Sequence, residues 1–188
     1  STPPPHSPER GALNPPAETR AISPEDAAKI TSLMQAAGRA HHAGNRVRLK
    51  AILEEVLEID PGHAKATYNL GIIYRDCDDV FQAEVHLRRA LKLDPGLIDG
   101  YQALADLLFS VKHMLSAAKI YEDALELAPN RIPLLQNLSK TRMMLKDAPE
   151  AERLARQVLS IDDRSDEAWA TLAWAVLFRC GDPAQALQ

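Results

Sequence analysis

Cysteine is scarce in this 188-residue chain: Cys77 and Cys180 lie far apart in sequence, near expected turns. That leaves no basis for a disulfide framework or the clustered spacing of a zinc site. No stretch approaches the roughly 18–20 consecutive apolar residues needed to cross a bilayer, so no direct membrane insertion is expected, and no signal-peptide core is present. Excess positive charge is missing too. The formal net charge is −4, which removes the basic footprint of a nucleic-acid or anionic-membrane binder. There is no Gly-rich phosphate loop, nucleophile elbow or carboxylate pair in a matching context, so neither an enzyme nor a cofactor is expected. His41-His42 has no further ligand at a metal-binding spacing, and a helix C-terminus accounts for such a pair through its dipole. Asp76, Asp78 and Asp79 share a turn but lack the glycine and closing glutamate of a calcium loop. A reducing cytoplasm is the expected compartment, although the chain starts at Ser1 without a methionine and a proline-rich spacer also suits a chain once attached to an anchor.

Proline is plentiful but unevenly placed. Pro3, Pro4, Pro5, Pro8, Pro15 and Pro16 crowd the first 22 residues, where little apolar surface is available to offset the entropy of ordering. Residues 1–22 are therefore read as a Pro-rich disordered linker or tail, in which Ser7-Pro8 is either a phosphorylation site or spacer. Pro61, Pro95 and Pro129 stand 34 residues apart, each closing an apolar helical run. The same interval links Leu33, Thr67, Tyr101, Leu135 and Trp169. It also links the pairs Ala36-Ala37, Leu70-Gly71, Leu104-Ala105, Leu138-Ser139 and Leu172-Ala173. A period of this length marks stacked helical hairpins. Small residues recur where helices must approach closely, and large ones where a groove must be filled. A single hairpin leaves an apolar face in water, so stacking supplies most of the stability. A coiled coil would need a seven-residue apolar repeat, and an ordinary bundle has no reason to copy itself at this interval.

The Leu-Gly pair, the tyrosine three residues on, the spaced alanines and the terminal Asp-Pro resemble the tetratricopeptide repeat family over about residues 30–188. The resemblance implies an all-α, right-handed superhelical solenoid of antiparallel helical hairpins, about four and a half of them. Residues 23–188 form the domain, with repeats at 30–63, 64–97, 98–131, 132–165 and an incomplete 166–188. Ser23-Pro24-Glu25-Asp26 reads as a helix start, so the first helix should run from about Pro24 to Ala43, longer than its counterparts. The second and third units fill nearly every signature position. The fourth departs most: Arg142 stands at an apolar position, Ala155 replaces a larger residue, and Asp163 occupies the place of proline. The chain stops inside the second helix of the fifth unit. Trp169, Trp174, Leu177 and Phe178 are therefore candidates for exposure, covered either by a longer native chain or by another protein.

In this family the first helix of each unit lines the concave face where ligands lie. Carried over residue by residue, the resemblance implies a groove presenting Met34, Gln35 and Gly38, then Lys65, Tyr68, Asn69, Ile72 and Arg75. The third unit gives Asp99, Gln102, Asp106 and Phe109, the fourth Gln136, Asn137, Lys140 and Met143, and the fifth Thr171, Trp174 and Phe178. Asn69 and Asn137 resemble rungs of the asparagine ladder in the repeats of O-linked N-acetylglucosamine transferases, where an amide clasps an extended main chain. Gln35, Ala103 and Thr171 occupy the other rungs, and a solvated helix face is the alternative account of both asparagines. A carboxylate clamp like that of chaperone adaptors is disfavoured, since its basic positions fall on Met34, Gly38, Asp99 and Ala103. Tyr68, Phe109, Met143, Met144, Trp174 and Phe178 suit anchoring of apolar side chains, yet at helical spacing about half of them are expected in the core.

The sequence thus reads as a non-catalytic scaffold that binds a peptide or partner protein along a concave groove. One alternative is the substrate-recruiting arm of a larger enzyme such as a glycosyltransferase. Another is a self-assembly module, a homo-oligomer formed through residues 169–178.

Overall fold

The 34-residue period becomes helix–turn–helix units in the computed structural model, which describes residues 22–180. The Pro-rich stretch 1–21 and the second helix expected for the fifth unit lie outside the described residues. Helix α1 is Pro24–His42 and α2 Arg46–Ile59; α3 is Ala64–Asp76 and α4 Val80–Leu93; α5 is Ile98–Ser110 and α6 Met114–Leu127. The fourth hairpin is α7 Ile132–Met144 with α8 Ala148–Ile161, and α9 is Asp166–Cys180. Ser23 caps α1 as its sequence demands, its side chain accepting from the Asp26 N–H, with Pro24 in the first turn. The helix ends one residue short of the expected Ala43, which is its C-cap.

The turns repeat as faithfully as the helices. Inside each hairpin one residue adopts the left-handed conformation: Gly44, Asp78, Lys112 and Lys146, with φ of 67°, 59°, 66° and 62°. The next residue opens the second helix, and Asn45, Asp79 and Asp147 accept a backbone N–H there through their side chains. This satisfies one of the donors that a helix start leaves without a partner. The second helices end at Asp60, Asp94, Ala128 and Asp162, with φ between −128° and −139°. At three of these the carboxylate accepts from the N–H two residues on, in Gly62, Gly96 and Arg164. The missing proline at Asp163 therefore does not prolong α8, because Asp162 closes the turn without it.

Each hairpin packs on the next, and successive first helices touch directly, α3 on α5, α5 on α7 and α7 on α9. This places the first helices on the inner side of the solenoid. One apolar cluster joins Ile30, Leu53 and Val56 to Leu70 in the first two hairpins, and a larger one runs from Ala83 and Leu87 to Val158 and Ala168. Tyr74 packs against both. The small residues sit where helices are closest: a Cβ on Gly71 would lie 2.9 Å from Leu87 Cγ. In the fourth unit that position is Ser139, whose buried hydroxyl donates to the Ala151 carbonyl at 2.9 Å. Its neighbours Leu134, Leu135, Leu138, Leu154 and Val158 are all buried. Arg142, the departure in this unit, turns its charge to Glu122 and Asp147 instead of entering the core. Among the described residues, no helix is long and apolar enough to cross a membrane.

Candidate functional site

The inner face is cross-linked from unit to unit by residues expected to line it. Asp99 on α5 pairs with Arg131, the residue preceding α7, at 2.6 Å. Asn137 on α7 donates through Nδ2 to Asp106 Oδ1 on α5 at 2.9 Å. Gln136 donates to Ser165 Oγ at 3.0 Å, and Lys140 forms an ion pair with Glu167 on α9. Each link spans neighbouring hairpins, so the groove's floor is tied into the stacking of the solenoid.

Tyr121 completes the centre of this arrangement. It projects from α6, a second helix, at the position filled by Leu53 and Leu87 in earlier units. Only 1% of its surface is exposed, yet its hydroxyl passes between the helices and donates to the Asp106 oxygen that Asn137 also reaches. Burial, the Asp106 hydrogen bond and that carboxylate's charge hold the Tyr121 phenol well above its ordinary range, against a smaller lowering by Asn137. It therefore remains a donor. Asp106, Phe109, Tyr121, Asn137 and Lys140 line an open recess of about 210 Å³. Four of these five carry the sequence expectation. Tyr121 does not, because its position in the repeat reads as core.

A second cavity, of about 440 Å³, opens between α1 and α3. Met34, Gly38, Lys65, Asn69 and Ile72 line it, all expected on this face. The end of α1 and the start of α2 also contribute His41 and Arg46, which are not among the residues expected on this face. Tyr68 is half-buried nearby, and burial, reinforced by Asp99, pushes its phenol up while Arg75 and Arg131 oppose that shift. Arg75 forms an ion pair with Asp76 at 3.0 Å. Gln102 is half-buried on α5.

The last unit departs from expectation. Thr171 is buried and its hydroxyl donates to the Glu167 carbonyl, so it does not offer itself to the groove. Trp174 is 67% exposed, with Trp169 at 54% and Phe178 at 57%. None of the six aromatic and methionine anchors is fully buried: Tyr68, Phe109 and Met143 are half-buried, and Met144, Trp174 and Phe178 are exposed. Half of the six nevertheless lie against the core, as expected: Tyr68 and Phe109 pack on the larger buried cluster, and Met143 on a small one of Ala148, Ala151 and Ala175.

Family models of the tetratricopeptide repeat match residues 64–97 and 108–175. Among solved structures, MamA from Desulfovibrio magneticus RS-1 is similar with a TM-score of 0.76 at 16% identity, over 89% of this chain and 92% of that one. A tetratricopeptide repeat protein from Parabacteroides merdae gives a TM-score of 0.76 at 18% identity, over 85% of this chain and 64% of that one. A mutant O-GlcNAc transferase from Thermobaculum terrenum gives 0.66 at 26% identity, covering 74% of this chain but 27% of the transferase chain. No curated protein sequence matches the chain.

Proposed function

Because the chain belongs to the tetratricopeptide repeat family, we propose that it is a non-catalytic protein-interaction scaffold that holds a peptide or partner protein along its inner groove. The observation that carries this reading is the convergence of Asp106, Phe109, Asn137 and Lys140 on one cavity. There Tyr121 and Asp106 hold the Asn137 amide from behind. An amide whose N–H is already engaged presents its carbonyl oxygen in a fixed direction, ready to accept from a peptide N–H. Phe109 supplies an apolar wall for a neighbouring side chain. The Asn69 side chain on α3 makes no hydrogen bond to another described residue and can engage a main chain as both donor and acceptor.

The test is selection from a random peptide library against the full chain, with each recovered peptide titrated against the wild type and an Asn69→Ala, Asn137→Ala double variant. The reading expects peptides that lose about tenfold or more in affinity on the double variant. Peptides that bind both forms equally would overturn it.

A second reading, the recruiting arm of a larger glycosyltransferase, is supported by the likeness to the O-GlcNAc transferase. The natural reading frame beyond Gln188 tests it, since a catalytic domain there is required. Self-assembly through residues 169–178 is a separate proposal, supported by exposed Trp169, Trp174 and Phe178. A monomer at every concentration in sedimentation velocity would remove it.

A further inference from the structure

We propose that the cavity between the first two hairpins takes a short acidic peptide segment, seating one aliphatic side chain on its floor and its carboxylates on the rim. The inference rests on the groove reading and names the partner chemistry at the N-terminal end of that groove. The floor is apolar, with Met34, Leu49 and Ile72, whereas the rim carries His41, Arg46 and Lys65.

This charge is concentrated against the trend of the chain. No acidic residue occurs between Asp26 and Glu54, a stretch holding Lys29, Arg39, Arg46, Arg48 and Lys50, in a protein of net charge −4. Lys29 is paired with Glu55 and Lys50 with Glu54, but Arg39, Arg46 and Arg48 have no ion-pair partner among the described residues. Asp76 also lines the cavity, yet Arg75 holds its carboxylate at 3.0 Å, so it does not neutralise the rim. Of the unpaired arginines Arg46 lines the recess, together with Lys65, which also has no ion-pair partner among the described residues; such cations beside an apolar floor match a ligand that carries both carboxylates and a hydrocarbon side chain. The arrangement is not the carboxylate clamp, whose basic positions hold Met34, Gly38, Asp99 and Ala103 here; these rim residues come from the end of α1, the start of α2 and the first turn of α3.

Gly38 keeps the recess open, since a Cβ built there meets nothing within 4 Å. Gly38→Leu therefore starts its side chain in open space within the cavity and replaces a helical glycine with a better helix former; an unchanged urea midpoint for the variant would show that lost binding does not reflect lost folding. The probe is a fluorescent peptide of aspartate and glutamate flanking one leucine, titrated by anisotropy against the full chain. Its comparator replaces the acids with asparagine and glutamine.

The acidic peptide is expected to bind about tenfold or more tightly than the amide comparator. It should weaken about tenfold on Gly38→Leu and on Arg46→Glu, and stay unchanged on Arg153→Glu, a charge reversal on α8. Equal binding of the two peptides would overturn the inference. So would an equal loss on Arg46→Glu and Arg153→Glu, which marks bulk electrostatics. A loss on Asn137→Ala but not on Gly38→Leu would move the acidic segment to the α5–α7 cavity, overturning this inference while leaving the groove reading intact.

Discussion

Tyr121 connects core and groove through one phenol, so its removal should be felt in both. Tyr121→Phe keeps the ring's packing and deletes a hydrogen bond to a carboxylate, an expected loss of about 1.5–3 kcal/mol. The pH dependence carries a second signature. A phenol held above its ordinary value contributes stability that is fully present below about pH 10 and is lost as pH rises through the folded value. Melting of the wild type should therefore fall on the alkaline side more steeply than melting of Tyr121→Phe; parallel curves would show that the hydroxyl is not engaged. Gly71→Leu tests the close approach of α3 and α4. With Leu87 Cγ at 2.9 Å from where a Cβ would stand, overpacking should cost about 1–3 kcal/mol in urea denaturation. A change near zero would mean the helices are farther apart. At this scale the glycine was legible in sequence and the tyrosine was not, because a tyrosine at a core position announces its bulk and conceals where its hydroxyl goes.

The elements owe their sharp ends to turn chemistry that only partly shows in sequence. Each intra-hairpin turn needs one left-handed residue, yet Gly44 alone is glycine; Asp78, Lys112 and Lys146 adopt the same conformation despite their side chains. An L-residue there costs about 1–2 kcal/mol, while glycine costs roughly 0.5–1 kcal/mol more in unfolded-state entropy. Lys112→Gly is accordingly expected to raise stability by about 0.5–1 kcal/mol, read as a shift of the urea midpoint at constant slope. An unchanged or lower midpoint would contradict the assigned turn. The fourth unit teaches the complementary lesson. Judged by its proline it looked irregular, but the aspartate one place earlier closes the turn, as Asp60 and Asp94 do. The signal was present in the sequence, beside the more conspicuous residue.

Across the whole molecule, the hairpins were legible because a repeat in sequence is a repeat in space: the interval that links Pro61, Pro95 and Pro129 also links the turns and caps. The groove's internal bonds were less legible. Asp106 meets Asn137, and Lys140 meets Glu167, across neighbouring units at separations of 31 and 27 residues. These fall short of the period, so a register of equivalent positions does not pair them. Asn137 is accordingly a bridge between hairpins as well as a groove residue, a role that its place in the repeat does not reveal. The Thr171 outcome has the same cause, since equivalence to Asn69 and Asn137 in register did not guarantee equivalence in burial.

The most direct test of the groove as the binding surface is nuclear magnetic resonance mapping of the isotope-labelled full chain with a library-selected peptide. The account predicts that perturbed amides and side chains concentrate on α3, α5 and α7, with the Asn69, Phe109 and Asn137 signals among the most shifted. Perturbations gathered on α4, α6 and α8, or confined to residues 169–178, would contradict it.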